Sequence, residues 1–233
     1  MKKLVFLTGA GISAESGITT FRDSGGLWEQ YPVEAVASIQ GYYRDPALVI
    51  QFYNERRHQL KSVEPNKAHQ LVAALEESFN VCVVTQNVDN LHERAGSHHI
   101  IHLHGELTKA TSTDNPNDPS QVVTLADDED IHIGDKAKDG SQLRPFIVWF
   151  GEAVPMIEPA AVAVSEADIV VVIGTSLNVY PAAGLLGYVR RDADIYLIDP
   201  SPNNVPGYLP VHIIAKKATD GMQELYQELT RKG

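Results

Sequence analysis

The sequence predicts an α/β fold, a Rossmann-like doubly wound parallel sheet with a small inserted module. Three observations carry this. Apolar runs of strand length alternate along the chain with stretches of helical apolar spacing, the pattern of strands linked by crossover helices. Residues 169–173 are apolar without interruption, as a strand buried on both faces requires. The first run, residues 4–7, enters Gly9-Ala10-Gly11-Ile12-Ser13 directly, a strand–glycine hinge–helix layout whose N–H groups a pyrophosphate can approach.

Taken in order, residues 4–7 are the first strand, and Gly25-Gly26-Leu27-Trp28 reads as a mobile loop with an aromatic anchor. Asp45-Pro46 opens a helix to about residue 60, with Asp as N-cap and Pro at the first helical position. Residues 66–79 repeat Ala68, Leu71, Val72 and Leu75 at helical spacing. A buried strand over 81–84 ends at Thr85-Gln86-Asn87, and a short helix leads to a strand over 100–103. Residues 110–142 differ, with eight acids against two lysines and β-like runs at 122–125 and 131–133. They read as a small module, with disorder as the competing reading. From Pro145 the alternation resumes, with strands at 146–150, 169–173, 195–198 and 211–214 and helices at 157–166, 181–190 and from about Asp220. The domains are therefore 1–109 with 143–233, holding a small helical insertion within about 25–65, and the module 110–142.

A chain of 233 residues, 43% apolar and 21% charged, suits one large globular domain with an insertion. The net charge of −11 argues against nucleic acid and anionic membranes as partners. It is compatible with lysine-rich protein partners, although acidic surfaces usually only maintain solubility. No stretch approaches the ~20 apolar residues of a membrane span, and the run 4–7 is too short for a signal sequence. The single cysteine, Cys82, excludes an internal disulfide and suits a reducing compartment. A cytoplasmic monomer is expected.

Polar residues follow the apolar strands at 8–13, 86–89, 104, 175–176 and 199–201, which are carboxyl ends in an open parallel sheet, where ligands bind. Turn chemistry alone also explains an Asn or Asp there, but not the repetition. His102 and His104 share one strand face, as in some zinc sites, yet no third ligand is evident, and no metal is expected. The acid usual about 20 positions after such a glycine turn is missing. Tyr53 and Arg56 stand at i and i+3 on one helix face. They are either part of a surface ion pair, worth ~0–1 kcal/mol, or a phenol and guanidinium that receive a carboxylate.

Gly9-Ala10-Gly11-Ile12-Ser13 with Ser16-Gly17-Ile18 and Phe21-Arg22 resembles the first motif of the sirtuins, NAD-dependent protein lysine deacylases. Three further segments match in family order: residues 85–92, His104-Gly105-Glu106-Leu107, and Gly174-Thr175-Ser176-Leu177 with Pro181-Ala182-Ala183. The resemblance implies NAD as cofactor. It places Gly9, Ala10, Gly11, Ser13, Glu15, Thr20, Phe21, Arg22, Gln86, Asn87, Asp89 and Gly174 around it. Thr175 and Ser176 would meet phosphate or ribose, and Asp199, Pro200 and Ala218 the adenosine end. His104 would be the catalytic base, assisted by Asn87 and Asp89, and His102 structural. Tyr53-x-x-Arg56 and the small Ala37 resemble the subgroup that removes succinyl, malonyl and glutaryl groups. By analogy the acyl-lysine peptide would lie between Val148, Phe150, Gly151 and Glu152 on one side and Asn178 on the other. The reaction would yield free lysine, nicotinamide and 2′-O-acyl-ADP-ribose, with weaker deacetylase activity beside removal of the acidic groups. Mono-ADP-ribosyl transfer or NAD hydrolysis, and a non-catalytic NAD or ADP-ribose sensor, are the alternatives.

One departure stands out. Most sirtuins hold their small domain with four cysteines on zinc, and the first pair would begin just after Lys109, where Ala110-Thr111-Ser112-Thr113 stand. No structural zinc is expected, and a hairpin built on Val122, Leu125, Ile131 and Ile133 is the expected replacement.

Overall fold

The chain, a computed structural model, is described over residues 1–18, 31–126, 128–175, 182–202 and 210–231. The loop expected at 25–28 and five expected site residues (Thr20, Phe21, Arg22, Ser176 and Asn178) lie outside these. In order come β1 (Lys3–Thr8), α1 (Ala10–Ser13), α2 (Val33–Val36), α3 (Ile39–Arg44), α4 (Pro46–Lys61), α5 (Lys67–Ala74), β2 (Asn80–Thr85), α6 (Leu91–Arg94) and β3 (Ile100–His102). They are followed by β4 (Gly105–Ser112), β5 (Val123–Thr124), β6 (Leu143–Ile147), α7 (Ile157–Ser165), β7 (Ile169–Ile173), β8 (Asp194–Ile198), β9 (Val211–Ile214) and α8 (Ala218–Arg231).

Six parallel strands form one sheet in the order β3-β2-β1-β7-β8-β9. Alternate residues of β1 serve opposite layers: Leu4 and Phe6 pack with α5 and α8, while Val5 and Leu7 pack with α7. That double burial is why the strands read as unbroken apolar runs. The strand order reverses between β1 and β7, so a crevice opens at their carboxyl ends. The expected N-cap holds, Asp45 accepting from Leu48 N–H at 2.9 Å; Asn66 also caps α5, accepting from Ala68 N–H at 2.9 Å.

A second, antiparallel sheet runs β5-β4-β6 and packs against α2, α3 and α4 around Tyr42, Phe52, Tyr53 and Trp149. It departs from expectation in three ways. Its third strand is Leu143–Ile147 rather than 146–150, because β6 is an edge strand and an edge accommodates Pro145. The sheet also takes its strands from residues flanking the acidic segment as well as within it. Residues 131–133 form no strand, so the expected hairpin is absent. Ile131 is buried with its backbone bonded to α4, its N–H donating to Asn54 Oδ1 at 3.2 Å and its carbonyl accepting from Asn54 Nδ2 at 2.8 Å. Ile133 is 58% exposed. The helix expected over 181–190 is a 3₁₀ segment, Ala182–Tyr188, where it is described.

Candidate active site

After Thr8 the chain turns tightly against the loop that leaves β7. Gly9 N–H donates to the Ile173 carbonyl at 3.0 Å and Gly11 N–H to the Gly174 carbonyl at 2.9 Å. A Cβ on Gly11 would lie 2.5 Å from Gly174 Cα, and Gly174 itself has φ +61°. The glycines are thus required by backbone meeting backbone. The Gly9 and Gly11 amides are bonded to protein carbonyls, which holds the turn against the β7 loop. The helix that follows is a single turn.

Beneath this turn lies a buried polar layer. Asn87 Nδ2 donates to the Gly9 carbonyl at 3.1 Å and to Ser13 Oγ at 3.2 Å, and Ser13 Oγ donates to Asp89 Oδ2 at 3.1 Å. The other Asp89 oxygen accepts from Leu91 N–H, and burial raises the pKa of this carboxyl. Two histidines close the layer from below: His92 Nε2 is 3.2 Å from Thr8 Oγ1, and His69 Nε2 is 3.5 Å from Ser13 Oγ. Gln86 Nε2 donates to Thr175 Oγ1 at 2.9 Å, joining the β2 and β7 ends.

His104 stands where β3 passes into β4, at the seam between the two sheets. The next residue must be glycine: Gly105 has φ +83°, and a Cβ there would lie 2.1 Å from the Phe146 carbonyl oxygen. His104 Nδ1 lies 3.0 Å from the Gln86 carbonyl. A carbonyl only accepts, so Nδ1 carries the proton and Nε2 keeps its lone pair. Burial pushes the His104 pKa below its ordinary value, against the opposing pull of that carbonyl, and the ring is neutral near pH 7. It is a ready base.

On the small-sheet side Tyr53 is 3% exposed, and burial pushes its phenol up to about 12, so it remains a hydrogen-bond donor. Burial pushes the Arg56 pKa down, while Tyr53 and Asp89 both favour its charge, so this guanidinium bridges α4 and the 86–89 loop electrostatically. Ala37 is buried, and its carbonyl accepts from Phe150 N–H at 2.9 Å, while Ile39 N–H donates to the Phe150 carbonyl at 3.0 Å. Phe150 itself is half-exposed, and Val148 N–H donates to the His104 carbonyl at 2.9 Å. Gly151 has φ +93°.

A profile of the Sir2 family matches residues 9–181. The chain belongs to the Sir2 family. It is 63% identical over 230 residues to an NAD-dependent protein deacylase of Bacteroides thetaiotaomicron, covering 98% of both chains. It is 52% identical over 231 residues to one of Helicobacter pylori, again covering 98% of each. Among solved structures it resembles a Sir2 homologue in complex with NAD, with TM-score 0.87 and 39% identity over 99% of this chain and 90% of that one. It also resembles a Sir2 variant with a deacetylated p53 peptide and 3′-O-acetyl-ADP-ribose, with TM-score 0.79 and 31% identity over 97% and 92%.

Two of the expected site carboxylates have partners within the protein. Glu15 accepts from Thr219 N–H at 2.9 Å and Thr219 Oγ1 at 2.8 Å, so it caps α8 and ties it to the glycine turn. Both oxygens of Glu152 are held by Arg144 at 2.7 and 2.9 Å, and Oε2 also accepts from Trp149 N–H, so it braces the Phe150 loop from within. Asp199, 7% exposed at the β8 end, accepts from Ser201 N–H, with Pro200 exposed beside it and Ala218 buried at the start of α8. His102 has acidic neighbours that the sequence did not reveal: its ring and carboxylate oxygens of Glu93 and Glu106 lie within 4.8 Å of one another. These groups are ion-paired, Glu93 to His102 at 2.6 Å and Glu106 to Lys109 at 2.8 Å. Sequence reasoning also missed His69, whose signal was a polar residue inside the apolar stripe Ala68, Leu71, Val72.

Proposed function

We propose that this chain is an NAD-dependent protein lysine deacylase that favours acyl groups ending in a carboxylate and needs no structural zinc. The named activity of its relatives supports the coarse reading. The residues fit a dinucleotide: hydroxyl and amide groups of Thr175 and Gln86 at two strand ends, and the Asp199 carboxylate at a third, suited to ribose hydroxyls. When bound, NAD would supply an electrophilic ribose carbon to the acyl oxygen, with nicotinamide as leaving group, and a ribose hydroxyl to take up the acyl group, while one water would supply the oxygen needed to release free lysine. His104 Nε2, with Nδ1–H fixed by Gln86, accepts the proton of that hydroxyl.

The preference for acidic acyl groups rests on one observation: a buried neutral phenol and a half-buried guanidinium share one face of α4 beside Asp89. A charge-assisted hydrogen bond contributes about 1.5–3 kcal/mol, or roughly 10- to 150-fold over a neutral acyl group. The test offers NAD with matched succinyl-, malonyl- and acetyl-lysine peptides and follows peptide mass. Succinyl and malonyl should be removed faster, His104→Ala should abolish all turnover, and Arg56→Met should reverse the preference. Equal rates on all three peptides would refute the acyl reading, and NAD consumption with intact peptide would refute the deacylase reading.

A further inference from the structure

His102 and His104 project from one short stretch of chain onto consecutive carbonyls of the same loop. His104 Nδ1 meets the Gln86 carbonyl at 3.0 Å, and His102 Nδ1 meets the Asn87 carbonyl at 3.3 Å. His102 differs in its second nitrogen, which meets Glu93 Oε1 at 2.6 Å. A carbonyl and a carboxylate can only accept, so both His102 nitrogens donate, and the ring in this geometry is an imidazolium. Its side chain is 9% exposed, and the Glu93 carboxylate that it meets is 38% exposed.

We propose that His102 is a positioning residue: as an imidazolium anchored by Glu93, it holds the Asn87 carbonyl and so keeps the 86–89 loop where Gln86 fixes the His104 ring. The loop it steadies also carries Asn87 and Asp89, whose side chains are bonded into the buried layer under the glycine turn. Deprotonation breaks the arrangement, because a neutral ring has one N–H and faces two acceptors. The charges around it come from each packed element: Glu93 and buried neutral His92 on α6, Glu106 with its partner Lys109 on β4, Asp89 in the loop, and His104 two residues on. Burial opposes the charged form of His102, but the Glu93 hydrogen bond and the two carboxylate charges outweigh it, and its pKa is raised. His104 is shifted the other way. Activity should therefore rise with pH as His104 loses its proton and fall as His102 loses its own.

This inference rests on His104 being the base, and the experiment separates the two. NAD-dependent deacylation is measured from about pH 5 to about pH 10 for wild type, Glu93→Gln, His102→Gln and His104→Ala, with the thermal midpoint of each. Glu93→Gln should keep a folded enzyme and move the alkaline limb about one unit towards acid. His102→Gln should lower kcat about tenfold, leave KM for NAD within about twofold, and remove that limb. An unmoved alkaline limb in Glu93→Gln, or wild-type kcat and profile in His102→Gln, overturns the positioning role. If His102→Gln does not fold, Glu93→Gln alone decides. Activity surviving in His104→Ala overturns the base assignment whatever the other two show.

Discussion

His69 and His92 lie edge to face beneath the glycine turn, ring centroids 4.9 Å apart, and both are fully buried. Burial pushes His69 down to about 4 and holds His92 well below the ordinary histidine value. A histidine whose folded pKa lies below the unfolded one costs stability on acidification. The loss starts near pH 6.5, where the unfolded chain takes up its proton, and for His69 is complete near its folded value of about 4. For His69 alone this amounts to about 3 kcal/mol. Asp89, raised by burial, acts in the opposite sense and offsets part of it. Urea denaturation at about pH 7.5 and about pH 5 should show the protein less stable in acid, and His69→Gln should flatten the difference. An unchanged pH slope in that variant would count against the assignment. The residues over this layer were legible in the sequence because glycines, Asn and Asp after apolar runs mark strand ends. The histidines beneath were not, because their environment is set by contacts over long sequence separations, 56 residues between Ser13 and His69 and 84 between Thr8 and His92.

Strands of the large sheet were legible to within a residue at either end, since burial on both faces leaves an uninterrupted apolar signature. The small sheet was not. β5 covers only Val123–Thr124, and Pro145 disguises β6. What organises the turn after β6 is a buried cation. Arg144, 1% exposed, lies 3.7 Å over the Trp149 ring, donates to the Ile147 carbonyl at 2.7 Å and pairs with both oxygens of Glu152. Nothing in the local pattern at 144–152 marks this fold-back, so Glu152 reads as a peptide contact from sequence. Glu152→Ala would leave the guanidinium buried and unpaired, at a cost of about 3–5 kcal/mol, and would loosen the Phe150 loop that Ala37 and Ile39 hold. The double replacement Arg144→Met, Glu152→Leu should recover much of that loss in urea denaturation. A single variant as stable as wild type would show that the pair carries no such weight.

The small sheet stands without a thiolate at its tip, since the one cysteine of the chain, Cys82, lies buried in β2. Where two chain segments must be tied together, Asp139 is the knot. Its Oδ2 accepts from Ser112 Oγ at 2.5 Å and Asn115 Nδ2 at 2.9 Å, and its Oδ1 from Ser141 N–H at 3.0 Å and Ser141 Oγ at 2.8 Å. Ser112, itself fully buried, also accepts from the N–H groups of Asp114 and Asn115. A second tie joins the acidic segment to α4, where Arg57 donates to the Glu129 carbonyl at 2.6 Å and to Asp130 Oδ1 at 3.3 Å. Hydrogen bonds from Ser112, Asn115 and Ser141 hold the Asp139 carboxyl well below the usual range. A depressed folded pKa means its contribution is present above about pH 3.9 and disappears as acid protonates it. These ties join distant strands across a long loop, and under the zinc-free proposal they stand where a metal would. Far-UV circular dichroism and deacylation should therefore survive a strong chelator unchanged. Asp139→Ala should instead open the segment between Thr113 and Gln142 to limited proteolysis while the large sheet stays intact, because the six-stranded core shares none of these bonds. Structure lost on adding EDTA would overturn the proposal, since hydrogen bonds and an ion pair give a chelator nothing to remove.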